Sequence, residues 1–286
     1  MHILSLRTNQ HDDDHDDHGG LHRDLKETGA AIDRRGMLRL TARFGVALGG
    51  LQIIGCASDA AAVTGTDGTT GGASTTGSSC PAKVPQETAG PYPGDSSNGP
   101  NVLNQTGVVR SDIRSSFAGL SGSVTGVPLN LALTIVSASN CTPLAGYAVY
   151  LWHCDAVGNY SLYSSGVTNQ NWLRGVQAAD ADGVVRFTTI YPGCYSGRWP
   201  HMHFEVYRSL AAATAVSNKI ATSQIAMPLA SNNLVYATSG YSTSARNQSQ
   251  ITLASDNVFS DGASLELATV TGDVTNGMTA ALTVAV

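Results

Sequence analysis

The stretch Leu129-Asn130-Leu131-Ala132-Leu133-Thr134-Ile135 alternates large apolar and smaller or polar residues without a break. Alternation with period two predicts a β-strand with one face in a core and one face wet. The pattern returns at 184–190 and again at 201–207, where Met202, Phe204 and Val206 alternate with His201, His203 and Glu205. At 145–152 aromatic residues fall on both faces, which predicts a strand covered on both sides. Further strands are expected near 222–226, 251–253, 265–270 and 280–286. Turn clusters separate them at 155–159 (Asp-Ala-Val-Gly-Asn), at 180–183 (Asp-Ala-Asp-Gly) and at Pro192-Gly193. The segment ETAGPYPGD at 87–95 is too rich in Gly and Pro for a central strand. Many short strands, regular turn signals and no amphipathic helix predict an all-β chain folded as a β-sandwich over residues 80–286.

The first 79 residues read differently. HDDDHDDHGG is an acidic, His-rich, low-complexity run expected to be a solvated tail. Arg34-Arg35 followed by a weakly apolar, Gly-rich segment resembles a twin-arginine export signal, which predicts a periplasmic or extracellular protein. Two processing sites compete. Ile53-Ile54-Gly55-Cys56 resembles a lipobox, which would place a lipid on Cys56 and give the only membrane attachment, and Ala60-Ala61-Ala62 would serve a signal peptidase that releases a soluble form. The lipobox is the favoured of the two, so residues 1–56 are assigned to the signal. Residues 57–79 are almost wholly Thr, Gly, Ser and Ala and form a linker unable to bury a core.

With 42% hydrophobic and 13% charged residues the chain is globular in composition. Beyond the leader it is mildly acidic with no basic run, which argues against nucleic acid as a partner. Five cysteines less a lipidated Cys56 leave Cys80, Cys141, Cys154 and Cys194. An even number in an oxidising compartment suggests disulfides, and three pairings stay open.

Candidate chemistry gathers on the strand at 201–207. His201 and His203, two residues apart, project from one face and make half of a metal site. A zinc site of three histidines would have to recruit His153, and a site of two histidines and one carboxylate would need Glu205, about 7 Å further along the strand. The other donors at turn ends are Tyr160 and Tyr195. Phenolate is a hard anionic oxygen suited to Fe(III), whose charge lowers the pKa of the phenol it binds. Two phenolates and a hydroxide would neutralise the ion, and two neutral imidazoles would complete five-coordination.

The blocks LWHCDAVGNYSLY and WLRGVQAADADGVVRFTTIYPGCYSGRWPHMHFEVY, with ETAGPYPGD before them, resemble the intradiol ring-cleavage dioxygenases, the group that contains protocatechuate 3,4-dioxygenase and catechol 1,2-dioxygenase. The resemblance covers about 80–286 and is densest at 145–207. It implies a β-sandwich with non-haem Fe(III) held by Tyr160, Tyr195, His201 and His203. It further implies Arg198 as the active-site cation, Tyr195 as the ligand that substrate displaces, and Gln224 as a residue that helps position substrate. Tyr163 is the rival to Tyr160 but lacks the Gly-x-Tyr context, and Trp199-Pro200 replaces the Pro-Ala usual before the first histidine. The implied reaction inserts both atoms of O2 into a catechol between its hydroxylated carbons and needs no external reductant. Arg174 is a candidate partner for a ring carboxylate. Competing readings are a cupin-like or zinc metalloenzyme on the two histidines, and a tethered sandwich that only binds a ligand.

Overall fold

The computed structural model describes residues 80–286, so the twin-arginine pattern, the Cys56 lipobox and the 57–79 linker lie outside the described residues. Two four-stranded sheets face each other. The first orders β4 (Val184–Ile190), β1 (Pro128–Val136), β8 (Gly277–Ala285) and β7 (Thr269–Asp273). The second orders β3 (Arg174–Ala178), β2 (Ala148–Trp152), β5 (His201–Tyr207) and β6 (Lys219–Ala226). Neighbouring strands are antiparallel except β1 and β8, which run parallel. The sandwich read from the alternation is therefore the architecture found.

The core lies between the sheets. Leu129, Leu131, Leu133 and Ile135 of β1 meet Val149 and Leu151 of β2 and Met202, Phe204 and Val206 of β5 in one apolar cluster. The outer face of the second sheet is not left to water. A second cluster covers it, with Tyr92, Val102, Leu103, Val108 and Phe117 packed on Tyr150, Trp152 and Val176. That lid corrects one expectation: β5 is buried at all seven positions rather than half-buried. Its histidine face lies buried beneath this cover, where electrostatic interactions are stronger than at a wet surface.

Several other boundaries move. The strand expected from 145 begins at Ala148, because Gly146 turns at φ 78°. The 251–253 run is irregular, and the strand expected at 265–270 begins only at Thr269. Two short helices, α1 (Leu229–Tyr236) and α2 (Ser242–Gln248), stand where no helix was expected. Cys80 bonds to Cys141, while Cys154 and Cys194 are buried thiols. Burial raises the pKa of both thiols, that of Cys194 to about 12, so neither is a ready thiolate nucleophile or ligand.

Candidate metal centre

The site is assembled from one strand and two turns. On β5, His203 stands opposite Trp152 on one side and opposite Gln224 of β6 on the other, in the middle of the second sheet. The first turn, 155–160, is built by Asp155, whose Oδ1 accepts the backbone N–H of Val157 and of Asn159. It delivers Tyr160, 1% exposed, beneath Tyr92, with ring centroids 4.8 Å apart. The second loop, 192–197, delivers Tyr195.

Close approach of these loops requires two glycines. A Cβ on Gly193 would fall 2.2 Å from the Asp155 carbonyl oxygen, and the Gly193 N–H donates to that same oxygen at 3.1 Å. Gly158, at φ +100°, leaves room for the backbone of Tyr195. Helix α2 fastens the pair from outside. Ser244 Oγ donates to the Ala156 carbonyl at 2.7 Å and accepts the Cys194 N–H at 2.8 Å, and Asn247 donates to the Cys194 carbonyl.

The result brings together the four residues singled out in the sequence. His201 Nε2 lies 3.1 Å from His203 Nε2, and Tyr195 Oη lies 3.5 Å from His201 Nε2. The Tyr160 ring stands 5.7 Å from that of Tyr195 and 6.3 Å from that of His203, both edge-on. His201 donates Nδ1–H to the Trp199 carbonyl, so its Nε2 carries the lone pair and faces His203 and Tyr195. Burial pushes the pKa of both histidines well down. The Arg198 charge adds to this at His201, and the neighbouring His201 adds to it at His203, so both imidazoles are held neutral. Two neutral nitrogens at this spacing fit one ion, since bonds of about 2.1 Å at near a right angle would place them so. The donor set is two imidazoles and two phenols, which suits a hard trivalent ion.

Arg198, fully buried, forms the next layer. Its Nη1 donates towards Tyr195 Oη at 3.4 Å and its Nη2 to Gln224 Oε1 at 2.7 Å, while Gln224 Nε2 donates to the Thr88 carbonyl. Gln224 thus sits against both Arg198 and the histidine strand.

Other candidates are employed elsewhere. Glu205 accepts from Lys219 and from Tyr207, and neutral His153 bridges the Cys154 carbonyl and Thr189 Oγ1. Among the described residues no three His, Cys, Asp or Glu side chains gather around a common point, so the three-histidine and two-His-one-carboxylate alternatives are not assembled. Tyr163 donates to the Asn98 carbonyl and accepts the Gly94 N–H. Arg174 is no substrate cation either: it is 1% exposed and donates to the carbonyls of Tyr92, Pro93 and Ser161. It braces the Tyr160 turn against the lid. Sequence reasoning missed Ser244, Asp256 and Phe259, which reach the site from the region after β6, where no motif marks them.

Comparison with known proteins agrees with this architecture. The family model Dioxygenase_C, described as a dioxygenase, matches residues 98–215, which include Tyr160, Tyr195, Arg198, His201 and His203. Among solved structures, the chain is similar to an intradiol ring-cleavage dioxygenase from Tetranychus urticae, at 22% identity and TM-score 0.58, over 72% of this chain and 94% of that one. A second dioxygenase structure is similar at 23% identity and TM-score 0.57, with the same two coverages. The dioxygenase domain of a carbohydrate-binding fusion protein from Streptomyces sp. SirexAA-E shares 21% identity over 71% of this chain and 97% of that one, at TM-score 0.46. No curated protein matches the chain. The first two likenesses establish the fold as that of the intradiol dioxygenases, and with the domain match they support an intradiol ring-cleavage dioxygenase as the class of enzyme.

Proposed function

We propose that residues 80–286 form a non-haem Fe(III) intradiol dioxygenase acting on a catechol-type aromatic and O2. The observation that carries this reading is the convergence of His201 Nε2, His203 Nε2 and Tyr195 Oη within 3.5 Å steps, with Tyr160 edge-on beside them. Tyr160, Tyr195, His201 and His203 would hold the ion. When bound, Fe(III) would draw electron density from a chelated catecholate and open its ring to attack by O2.

The chain's own residues supply the rest. Tyr195 Oη, partly exposed while Tyr160 is buried, is the phenolate placed to accept a proton from a catechol hydroxyl. Arg198, with Nη1 directed at that oxygen, stabilises negative charge on the phenolate and then on the substrate ring. Gln224 fixes the plane of the guanidinium. The cover formed by residues 89–117 keeps bulk water from the reacting ring. Cleavage between the two oxygenated carbons would give a cis,cis-muconate carrying both oxygen atoms. Independence from nicotinamide reductants suits an exported enzyme, and the Cys80–Cys141 disulfide supports that placement. Export by the twin-arginine route, with a lipid on Cys56, is part of the same proposal.

The test is oxygen uptake and product absorbance with catechol, protocatechuate, hydroxyquinol and larger lignin-like catechols. Iron-loaded protein should be wine-red from phenolate-to-Fe(III) charge transfer, and Tyr160→Phe and Tyr195→Phe should each change that band. A colourless iron-loaded preparation overturns the reading.

A further inference from the structure

Asp256 lies between α2 and β7, outside the matched 98–215 domain, and is fully buried. Both of its oxygens face the Arg198 guanidinium, Oδ1 accepting Nη2 at 3.5 Å. Oδ2 accepts Arg198 Nε at 3.0 Å and the Trp199 backbone N–H at 2.7 Å. Oδ1 accepts the N–H groups of Val258 and Phe259 at 2.8 and 3.0 Å, which closes the turn that carries Phe259. Phe259 in turn lies 6.0 Å from Arg198 Cζ and 6.3 Å from the His201 ring.

We propose that Asp256 is a positioning residue that sets the guanidinium of Arg198 against the metal centre. The inference rests on the dioxygenase reading above. A guanidinium is a rigid fork, so fixing two of its nitrogens fixes the third. Asp256 holds Nε and reaches Nη2 at 3.5 Å, Gln224 holds Nη2 at 2.7 Å, and Nη1 is thereby aimed at Tyr195 Oη. The same carboxylate reaches the metal side by a second path. It anchors the Trp199 N–H, and the Trp199 carbonyl accepts the His201 Nδ1–H that selects the ligating tautomer. A buried cation without its partner would lose this orientation, because burial makes the pairing obligatory rather than optional.

The experiment compares wild type with Asp256→Asn, alone and in an Arg198→Lys background, by oxygen uptake on iron-loaded protein. In Asp256→Asn the amide sets a donor against two donors while keeping an oxygen for the turn. The expected result is a fall in kcat of roughly 10- to 100-fold with iron content retained. KM should stay within about threefold, and Asp256→Asn should cost much less in Arg198→Lys, where the fork is already gone. Asp256→Glu, which keeps the charge, should recover part of the kcat. A wild-type kcat in Asp256→Asn, a rise in KM alone, or full additivity with Arg198→Lys overturns the proposal. Failure of both Asp256 variants to fold also overturns it, leaving a carboxylate that only closes the 256–259 turn. Absence of oxygen uptake by wild type on every catechol is a different result and sinks the enzymatic reading itself.

Discussion

Trp152 lies face to face with His203, ring centroids 5.0 Å apart and planes 6° from parallel, and Tyr150 stacks on the far side of the indole at 4.9 Å. Strand register produces this column, because Trp152 and His203 are cross-strand partners on β2 and β5. The stack fixes the imidazole plane as a hydrogen bond would. Trp152→Leu should weaken iron binding by about 10- to 100-fold. It should also cost on the order of 3 kcal/mol of stability from the lost buried volume. Chelator competition followed at the charge-transfer band measures the first effect and denaturant midpoints the second; unchanged iron affinity would show the stack to be only packing.

The Ser244 hydroxyl joins the two tyrosine-bearing loops. Ser244→Ala leaves the Cys194 N–H and the Ala156 carbonyl buried without it, at a cost of about 1–3 kcal/mol. Iron should leave this variant faster, since the loops of Tyr160 and Tyr195 are then joined more weakly, chiefly by the Gly193 N–H bond to the Asp155 carbonyl. Thermal unfolding and iron release to a chelator read both, and an iron-release rate equal to wild type argues against the tie.

Burial lowers His153 to about 4; the Cys154 carbonyl opposes the shift and the nearby Arg174 charge adds to it. Between that value and the unfolded value near 6.5 the unfolded chain binds the proton and the folded chain does not. Stability therefore falls as pH drops from about 6.5 to 4, by on the order of 3 kcal/mol for this residue. The buried, neutral His201 and His203 push iron-free protein the same way. Urea midpoints of iron-free protein across that window check the slope, and a flat profile contradicts a neutral buried imidazole.

The Cys80–Cys141 bond closes a loop of 61 residues and ties the start of the described chain beside the turn after β1. Chain-entropy reasoning gives such a cross-link about 4 kcal/mol. Reduction, or Cys80→Ser with Cys141→Ser, should lower the melting temperature by several degrees while leaving the iron spectrum in place. A shifted spectrum would mean that the cross-link reaches the metal centre.

Legibility from sequence followed local periodicity. β4 and β5 were found to the residue, and β1 was recognised, because their cores alternate strictly with period two. β3 escaped because Arg-Gly-Val-Gln-Ala has one bulky apolar residue, and its strand state depends on pairing with β2. α1 escaped because its buried positions include Ser231 and Asn232, which hydrogen-bond rather than supply an apolar stripe. α2 has the buried Ser244 and little else. The four site residues stood out because spacing and turn context mark them within a short stretch. Asp256 did not, since a lone aspartate whose partner lies 58 residues earlier leaves no local pattern. The full burial of β5 was equally hidden, because the segment that covers it comes from residues 89–117 and makes no repeat of its own.

The parallel pairing of β1 with β8 has a kinetic consequence. β8 is the last strand among the described residues and lies inside its sheet, between β1 and β7. Until a ribosome has released residues 277–285, the hydrophobic rib of Leu129, Leu131 and Leu133 lacks one of its two flanking neighbours. Pairing partners some 150 positions apart in sequence must find one another by slow, high-contact-order search. Assembly of this sheet therefore waits for β8 to become available to β1, long after β4 has been made.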